Sequence, residues 1–156
     1  MFDLSAFSVG IHDISSATLY LYAVLLYGSL KPTTHVAVHS CSSTTWEKFE
    51  ITWQNAPSFS PTPSYVTTVG VEDSWYSWDV TELVKNSMGK NMTLVLTVAD
   101  VGDSFGVYFK SWEAYNNNPE LDIDYIIIPE FPLFLILPLF MTATLLAVTV
   151  YRRKQF

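Results

Sequence analysis

The 156-residue chain is apolar and acidic: 49% of its residues are hydrophobic, and 15 Asp and Glu oppose 8 Lys and Arg, for a net charge of −7. Residues 1–130 contain five lysines and all of the acidic residues, so their net charge is −10. Phosphate contacts require Lys and Arg, so this balance excludes a nucleic-acid-binding protein. The single cysteine, Cys41, excludes an intramolecular disulfide, so the fold must be stabilised by its core.

Apolar and polar residues alternate early in the chain, which is the pattern of half-buried β-strands. In the stretch SATLYLYAVLL, one predicted face carries Ala17, Leu19, Leu21, Ala23 and Leu25. Thr18, Tyr20 and Tyr22 point to the opposite face. The alternation predicts a strand whose tyrosine-bearing side lies away from the core.

Two further strands are predicted over 35–40 (HVAVHS) and 49–54 (FEITWQ). The first places His35 and His39 at the surface, about 13 Å apart, which is too far for one metal ion. The inner face of the second carries Phe49, Ile51 and Trp53.

The β period breaks once, in DVTELVKNSMGK, which predicts a short helix over 79–90. Asp79 is its expected N-cap, Glu82 three residues later would complete a capping box, and Gly89 is the expected C-terminal stop. Strands resume over 93–100, 105–112 and 120–128. The short strands and the Pro and Gly residues between them predict an all-β fold, a jelly-roll-like β-sandwich with one short helix.

The last predicted strand turns Leu121, Ile123 and Tyr125 inward and Asp122 and Asp124 outward. The two aspartates stand about 7 Å apart, a spacing that two glycosidase carboxylates could use. Surface strands often carry such pairs, so a solvated face is the favoured interpretation over a calcium contact or catalysis.

A single C-terminal transmembrane helix is predicted from Phe131 to Tyr151, where 21 residues carry no charge. Such a helix is about 31 Å long, close to the hydrocarbon thickness of a bilayer. The alternative, a buried core helix, rarely runs this long without a polar face. The basic residues directly after the span are Arg152, Arg153 and Lys154, and they predict a cytoplasmic C-terminus. The expected organisation is an extracytoplasmic β-sandwich (1–128), an anchor (129–151) and a basic tail (152–156).

Several short phrases occur in a fixed order along the chain. They are FDLS (2–5), ISSATLYLY (14–22), TTWEKFEITWQNAP (44–57), WYSWDVTELV (75–84) and NPELDIDY (118–125). Together they resemble the DNRLRE-domain family, which is also classed as a carbohydrate-binding module family. The resemblance covers about residues 1–126. It implies a non-catalytic jelly-roll β-sandwich of secreted or cell-surface proteins, some of which bind polysaccharide. The family has one or two strands before FDLS, so the resemblance also implies natural sequence upstream of Met1.

A second resemblance concerns Pro129, Glu130 and Phe131. This PEF motif, followed by an apolar span and a basic cluster, is similar to archaeal C-terminal sorting signals. The resemblance implies a sortase-like enzyme as a partner that cuts near the motif. An ordinary span whose helix begins near Pro132 is the alternative, and the sequence leaves both open.

Aromatic residues make up 15% of the chain and fall into two predicted groups. Trp46, Trp53 and Trp78 are expected in the core. The candidate sugar-binding residues, which point away from the apolar faces of their strands, are Tyr20, Tyr22, Tyr108 and Trp112. Their flat rings could stack on sugars.

Two other motifs could bind a group. Asp100 and Asp103, in the turn ADVGDSFG, could supply oxygen ligands to Ca²⁺, although turn chemistry alone also explains them. No other cofactor is predicted. Asn91-Met92-Thr93 is a glycosylation sequon, which would permit a glycan at Asn91 on an extracytoplasmic domain.

These patterns predict a membrane-anchored cell-surface module that is not an enzyme. Its predicted partners are membrane lipid and a polysaccharide or another envelope component. The alternative is a structural unit of a surface layer, which would assemble through an open sheet edge.

Overall fold

A computed structural model describes residues 1–8, 12–27, 33–43, 46–47, 49–52, 54–98, 106–128, 138, 140–146 and 151. Its elements in chain order are β1 Phe2–Asp3, β2 His12–Tyr27, β3 Thr34–Cys41, β4 Tyr65–Val69, β5 Ser74–Asp79, α1 Thr81–Lys85, β6 Asn91–Val98, β7 Gly106–Phe109 and β8 Glu120–Ile127.

The strands form two antiparallel sheets. Sheet I has the order β1-β6-β3-β4, and sheet II has the order β5-β2-β7, with β8 also paired to β2. The long strand β2 holds β5 along one edge, while β8 pairs with its first half and β7 with its second. Two sheets and one short helix agree with the predicted β-sandwich.

The core lies between the sheets and contains the inward residues of β2 as the alternation predicts. Its buried members are Leu4, Ile14, Ala17, Leu19, Leu21, Ala23, Val36, Val38, Val69, Trp78, Val80, Val84 and Met92. The core prediction is confirmed for Trp78, which has no exposed surface. Trp46 is half-buried and donates from Nε1 to Thr93 Oγ1 (3.2 Å), while Trp53 lies outside the described residues.

The prediction that Leu25 faces the core is wrong. The pairing of β2 with β7 shifts register between Ala23 and Leu25, which indicates a β-bulge. A bulge inserts one residue and reverses the facing of those after it, so Leu25 is 46% exposed and Leu26 packs against the core instead.

His39 is buried, which contradicts its predicted surface position. The chain before β4 continues alongside β3, where Ser60 N donates to Ser40 O (2.9 Å). This segment covers the imidazole: Nδ1 lies 2.8 Å from Ser60 O, and Nε2 lies 2.9 Å from Thr97 Oγ1. Both ring nitrogens therefore have partners, which makes burial of the polar ring tolerable. His35 is exposed, as predicted.

The predicted strand over 49–54 does not form in the described part of that segment. Residues 49–50 and 54–55 are turns, and Asn55 Nδ2 donates to Glu50 O (2.8 Å). Phe49 is 88% exposed, so the alternation in FEITWQ does not mark a core-facing strand.

The predicted capping box is also wrong. Helix α1 is shorter than 79–90 and begins after Val80, the N-cap residue, which has no side-chain capping bond. Asp79 is the last residue of β5 and accepts from Thr81 N (2.9 Å), while Glu82 pairs with Lys85 (3.3 Å). The helix ends at Lys85, and the turns that follow it reach Gly89, whose φ of +75° favours glycine.

The last strand follows its predicted pattern with one departure. Leu121 and Ile123 pack against the core, and Asp122 and Asp124 are exposed. Tyr125 lies on the predicted side, opposite the buried Ile14, and packs edge-on against Phe7 with ring centroids 5.2 Å apart, but it remains 45% exposed.

No helix among the described residues combines the length and the apolar character that a membrane crossing requires. Within the predicted span, positions 138, 140–146 and 151 are helical, and the remaining residues of 129–151 lie outside the described part of the chain. The transmembrane helix therefore stays a prediction.

Candidate functional site

The outer face of sheet II carries a group of aromatic side chains. Because β2 alternates, Tyr20 and Tyr22 point outward while Leu21 between them enters the core. Tyr22 lies directly opposite Trp75 of β5, and paired residues project their side chains to the same side of a sheet. The two rings meet edge to face, with centroids 5.4 Å apart and planes at 78°. Tyr22 and Trp75 thus form one contiguous aromatic unit.

Lys110 completes this unit from the other side of β2. Its backbone N–H donates to Tyr22 O (3.0 Å), which fixes the residue beside β2 just after β7 ends. Its ammonium group lies 5.6 Å from the centre of the Tyr22 ring and 2.5 Å from Asn116 Oδ1. A cation over a tyrosine ring is attracted by the ring quadrupole, so these contacts hold the amine near the aromatic surface.

Tyr108 lies on the same side of β7 as Lys110, two residues away, and is 57% exposed. It stands opposite Leu25 in the register. We refer to Tyr20, Tyr22, Trp75, Tyr108 and Lys110 as the aromatic face. Its flat rings, of which Trp75 and Tyr108 are exposed and Tyr20 and Tyr22 half-buried, offer stacking surface beside the Lys110 amine and the Asn116 amide.

Carboxylates occupy the other half of the same sheet face. Thr18 is flanked by Asp79 on β5 and by Asp122 on β8, and Tyr20 is flanked on β8 by Glu120. Asp124 stands opposite Ser16, whose hydroxyl donates to Asp124 Oδ2 (2.8 Å). We refer to Asp79, Glu120, Asp122 and Asp124, all exposed, as the carboxylate end. Both halves share the central strand β2, so they form one continuous surface.

A cleft of about 350 Å³ opens beside the carboxylate end. Its polar lining includes Ser16, Ser64, Asp79 and Glu82, and Tyr65 also lines it and is 47% exposed. Within the described residues, no three His, Cys, Asp or Glu side chains stand close enough to hold a metal ion.

The pKa of Asp79 is below its usual value, mainly because the Thr81 hydroxyl donates a hydrogen bond to Asp79 Oδ1 (2.6 Å). The Thr81 N–H donates to the same oxygen (2.9 Å) and has the next largest effect, and the positive charge of Lys85 lowers the pKa further. These hydrogen bonds lower the pKa by more than desolvation of the carboxyl group raises it. The side chain is thus held ionised and oriented where β5 passes into α1.

This lowered pKa predicts how stability depends on pH. A carboxyl group whose pKa is lower in the folded state contributes stability above its unfolded pKa of about 3.9 and loses it as pH falls through the folded pKa. We expect the difference in free energy of unfolding between wild type and Asp79→Asn to shrink between pH 6 and pH 2.5, measured by denaturant titration. A difference that stayed constant over this range would contradict the assignment.

The structure brings together three of the four predicted sugar-binding residues. Tyr20, Tyr22 and Tyr108 lie on the aromatic face, but Trp112 does not. Trp112 is 67% exposed in the connection between β7 and β8 and lines a separate apolar cleft of about 320 Å³. The other residues of that cleft are Met1, Phe2, Leu19, Leu21, Leu94, Leu96, Ser111 and Pro119.

Trp75 and Lys110 are the site residues that sequence reasoning missed. The alternation in SWYSWD could have found Trp75, since it buries Trp78 and turns Trp75 to the opposite face. No local signal marks Lys110, because its position over Tyr22 depends on strand pairing.

The remaining predicted site residues are distributed as follows. Asn91 is exposed at the start of β6, opposite Asp3, so the sequon is sterically open at this residue. Asp100 and Asp103, the PEF motif 129–131 and the basic residues 152–154 lie outside the described residues.

Comparison with known proteins identifies a family for this chain. The family model described as carbohydrate-binding module family 96 matches residues 1–125. The match begins before β1 and ends within β8, so it includes both sheets, the aromatic face and the carboxylate end. A search of the curated proteins found no match. The coarser part of the sequence resemblance, a carbohydrate-binding module family, is confirmed.

Proposed function

The chain belongs to carbohydrate-binding module family 96, and we propose that it binds a polysaccharide on the aromatic face without catalysing a reaction. The observation that supports this most is the aromatic unit itself. Trp75 is 41% exposed beside Tyr22, with the Lys110 amine held above the tyrosine ring. Exposed aromatic rings on a rigid sheet can stack on sugar rings at little entropic cost, because the strands already fix them.

The carboxylates support a binding role over a hydrolytic one. Carbohydrate-binding modules are typically non-catalytic. Asp122 and Asp124 lie on an open sheet face, and Asp124 accepts a hydrogen bond from Ser16. A glycosidase needs two carboxyl groups on opposite sides of one scissile bond, whereas these two line one side of a strand. They are better placed to accept hydrogen bonds from sugar hydroxyls.

A binding screen tests the proposal. The full chain, kept in a mild detergent without a sugar headgroup so that the detergent cannot compete, would be run in native gels containing soluble polysaccharides. We expect at least one polysaccharide to retard the chain, with no release of reducing ends. A folded chain that migrates unchanged in every neutral and acidic polysaccharide would contradict the binding function, and release of reducing ends would contradict the non-catalytic role.

We also propose that residues 129–151 anchor this module in a membrane, with residues 1–128 outside the cell. The helical residues 140–146 support the anchor, because Phe140, Met141, Leu145 and Leu146 are each about 60% exposed or more. The Thr144 hydroxyl in this helix donates a hydrogen bond to Phe140 O (2.9 Å), so its polar group has a partner within the helix. Resistance to alkaline extraction, with protease access to residues 1–128 from outside intact cells, is the expected result.

The PEF motif leaves two alternatives for the residues after Pro129, retention or removal. Retention leaves a membrane span, whereas a sortase-like enzyme would remove the chain after about Pro129. The intact mass of the protein from its native membrane separates them, since loss of the tail removes about 27 residues.

A second candidate function, assembly with another copy, is supported by the edge of sheet I. The two-residue strand β1 pairs with β6 only at Asn91 and Met92. Among the described residues, the rest of β6 pairs with β3 alone, and this stretch of six residues from 93 to 98 carries no charge. An unpaired, uncharged edge favours strand addition. Sedimentation of the full chain at increasing concentration tests this, and a monomer throughout would exclude it.

A further inference from the structure

Resting on the proposed anchor, we infer that the end of β8 is a lipid-contacting surface, and that the sandwich stands on the bilayer with its aromatic face held away from it. The surface consists of Ile126, Ile127 and Ile128, which we refer to as the isoleucine end. The three residues are 64%, 60% and 44% exposed. Contiguous exposed apolar residues mark a contact site, whereas single ones are common on any protein surface.

The isoleucine end begins where the core stops. Along the inward side of β8, Ile123 packs against the core, but Tyr125 is 45% exposed and Ile127 is 60% exposed. Ile126 lies between them on the opposite side of the strand and is exposed as well. The pairing of β8 with β2 nevertheless continues as far as Ile127 and His12. The strand therefore extends past the core with isoleucines exposed on both of its sides.

The sequence changes character at the same place. From Glu120 to Asp124, polar and apolar residues alternate, as expected for a strand with water on one side. The next residue is a tyrosine, and the three at 126–128 are all isoleucine. A strand that is apolar on both sides suits surroundings that are apolar on both sides. The two sheets do not supply such surroundings, because all three isoleucines remain exposed.

The course of the chain identifies the lipid bilayer as the partner. Only Pro129 and Glu130 separate Ile128 from Phe131, the first residue of the proposed span. Three residue steps cover at most about 11 Å of extended chain. The polar interface of a bilayer adds about 5–7 Å on each side of the hydrocarbon core. The isoleucine end is therefore held at or next to this interface wherever the span is inserted.

The contact is apolar and not electrostatic. Asp13 lies opposite Ile126, Asp124 lies two residues before it, and both aspartates are exposed. Residues 1–130 have a net charge of −10, so anionic lipid would repel the module. Isoleucine side chains gain free energy by leaving water whatever the lipid headgroup. The isoleucine end thus fits a zwitterionic bilayer, and its contact should not depend on salt.

This contact also determines where the aromatic face stands. Strand β2 begins beside the isoleucine end at His12 and runs away from it to Tyr27. Tyr22 follows His12 by ten positions, a distance of about 33 Å along a strand. The aromatic face is thereby held clear of the headgroups, where a long polysaccharide can reach it.

The test places one fluorescent label at either end of β2, in full chains that carry Cys41→Ser so that each has a single cysteine. Ile127→Cys labels the isoleucine end. Val71→Cys is the matched control, because Val71 is also apolar and 61% exposed. Val71 precedes Glu72, whose Oε1 accepts a hydrogen bond from Leu26 N (3.0 Å) near the far end of β2.

Each labelled chain would be reconstituted in phosphatidylcholine vesicles with and without a nitroxide quencher on the acyl chains. We expect the quencher to remove at least about half of the fluorescence at 127 and little at 71, about 45 Å away, in low and in high salt. A chain that does not float with the vesicles would overturn the proposed anchor and this inference with it. A chain that floats but is quenched no more at 127 than at 71 would overturn the inference alone and leave the anchor standing.

A second variant separates the contact of the side chains from the tether of the chain. Ile126→Asp with Ile128→Asp, made in the chain labelled at 127, should lose most of the quenching, because charged side chains are costly in contact with lipid. The unfolding midpoint should not change, since both isoleucines are exposed. Val71→Asp in the same labelled chain is the control and should keep the quenching.

Two results of this second experiment would overturn the lipid contact. Full quenching in the double variant would show that the tether alone holds the strand near the bilayer. Efficient cross-linking between two chains that carry Ile127→Cys, by a short thiol-reactive reagent, would identify a second copy as the partner of the isoleucine end.

Discussion

Replacing Trp75 by alanine is expected to weaken polysaccharide binding by about thirtyfold while the sandwich stays folded. The indole is 41% exposed and packs edge to face with Tyr22, so it provides the most open ring of the aromatic unit. Truncating a central aromatic anchor typically costs about 2 kcal/mol of binding free energy, which corresponds to this factor. Titration of the wild type and the variant with a polysaccharide found by the gel screen measures it.

Trp112→Ala is the matched control for this experiment, because it removes an equally large and even more exposed ring that lies off the aromatic face. We expect less than a threefold effect on affinity from this change. A larger loss from Trp112→Ala than from Trp75→Ala would move the binding surface to the apolar cleft beside β6. Unfolding curves of both variants would show whether either loss reflects a damaged fold.

The alternation in the sequence was sufficient to predict β2 and β8, because each has one side that packs against the core and one exposed side. The inward residues of β2 from Ala17 to Ala23 are buried as predicted, and Tyr20 and Tyr22 are found on the other side. This periodicity is a local property of the chain. Together with the same alternation around Tyr108, it was sufficient to find three of the five residues of the aromatic face.

Two of the wrong predictions, at Leu25 and His39, have a non-local cause. Leu25 is turned outward by a bulge that exists only because β2 pairs with β7. His39 is buried by a segment that returns about twenty residues later to cover β3. The cause in FEITWQ is local: Asn55 Nδ2 donates to Glu50 O and stabilises a turn where the apolar alternation predicted a strand. Periodicity in one segment contains no information about the segment that packs against it.

The aromatic face likewise depends partly on local alternation, which the sequence shows, and partly on strand pairing, which it does not. Trp75 could be assigned to an outer face from its own strand, but only the register of β5 on β2 places it opposite Tyr22. Lys110 reaches the tyrosine through the pairing of β7 with the other side of β2. The site is thus a product of three strands that are far apart in the chain, and residue types along one strand cannot specify it.

Trp78→Ala is expected to cost about 3–5 kcal/mol of folding stability, the range for removing a large aromatic side chain from a core. Trp78 has no exposed surface and lies opposite Leu19, with its ring edge-on to Phe109 at 5.8 Å. Its Nε1 donates to Val36 O (2.8 Å), which links sheet II to sheet I through the core. Since whole domains are stable by only about 5–15 kcal/mol, this variant can fail to fold, and a milder one is needed.

Trp78→Phe is that milder variant, and it separates the hydrogen bond from most of the ring volume. It keeps an aromatic ring but removes the donor to Val36 O, so we expect a loss of about 1–3 kcal/mol, read from the denaturant midpoint. Trp75→Phe, three residues away on the same strand, makes the same chemical change at an outward site and should alter stability by about 0.5 kcal/mol or less. An unchanged midpoint for Trp78→Phe, or a larger loss for Trp75→Phe, would contradict the facing of β5. The expected result would show that β5 carries two tryptophans with different roles: Trp78 stabilises the fold and Trp75 binds the ligand. They face opposite sides of the sheet because side chains alternate along a strand and the two residues are three positions apart.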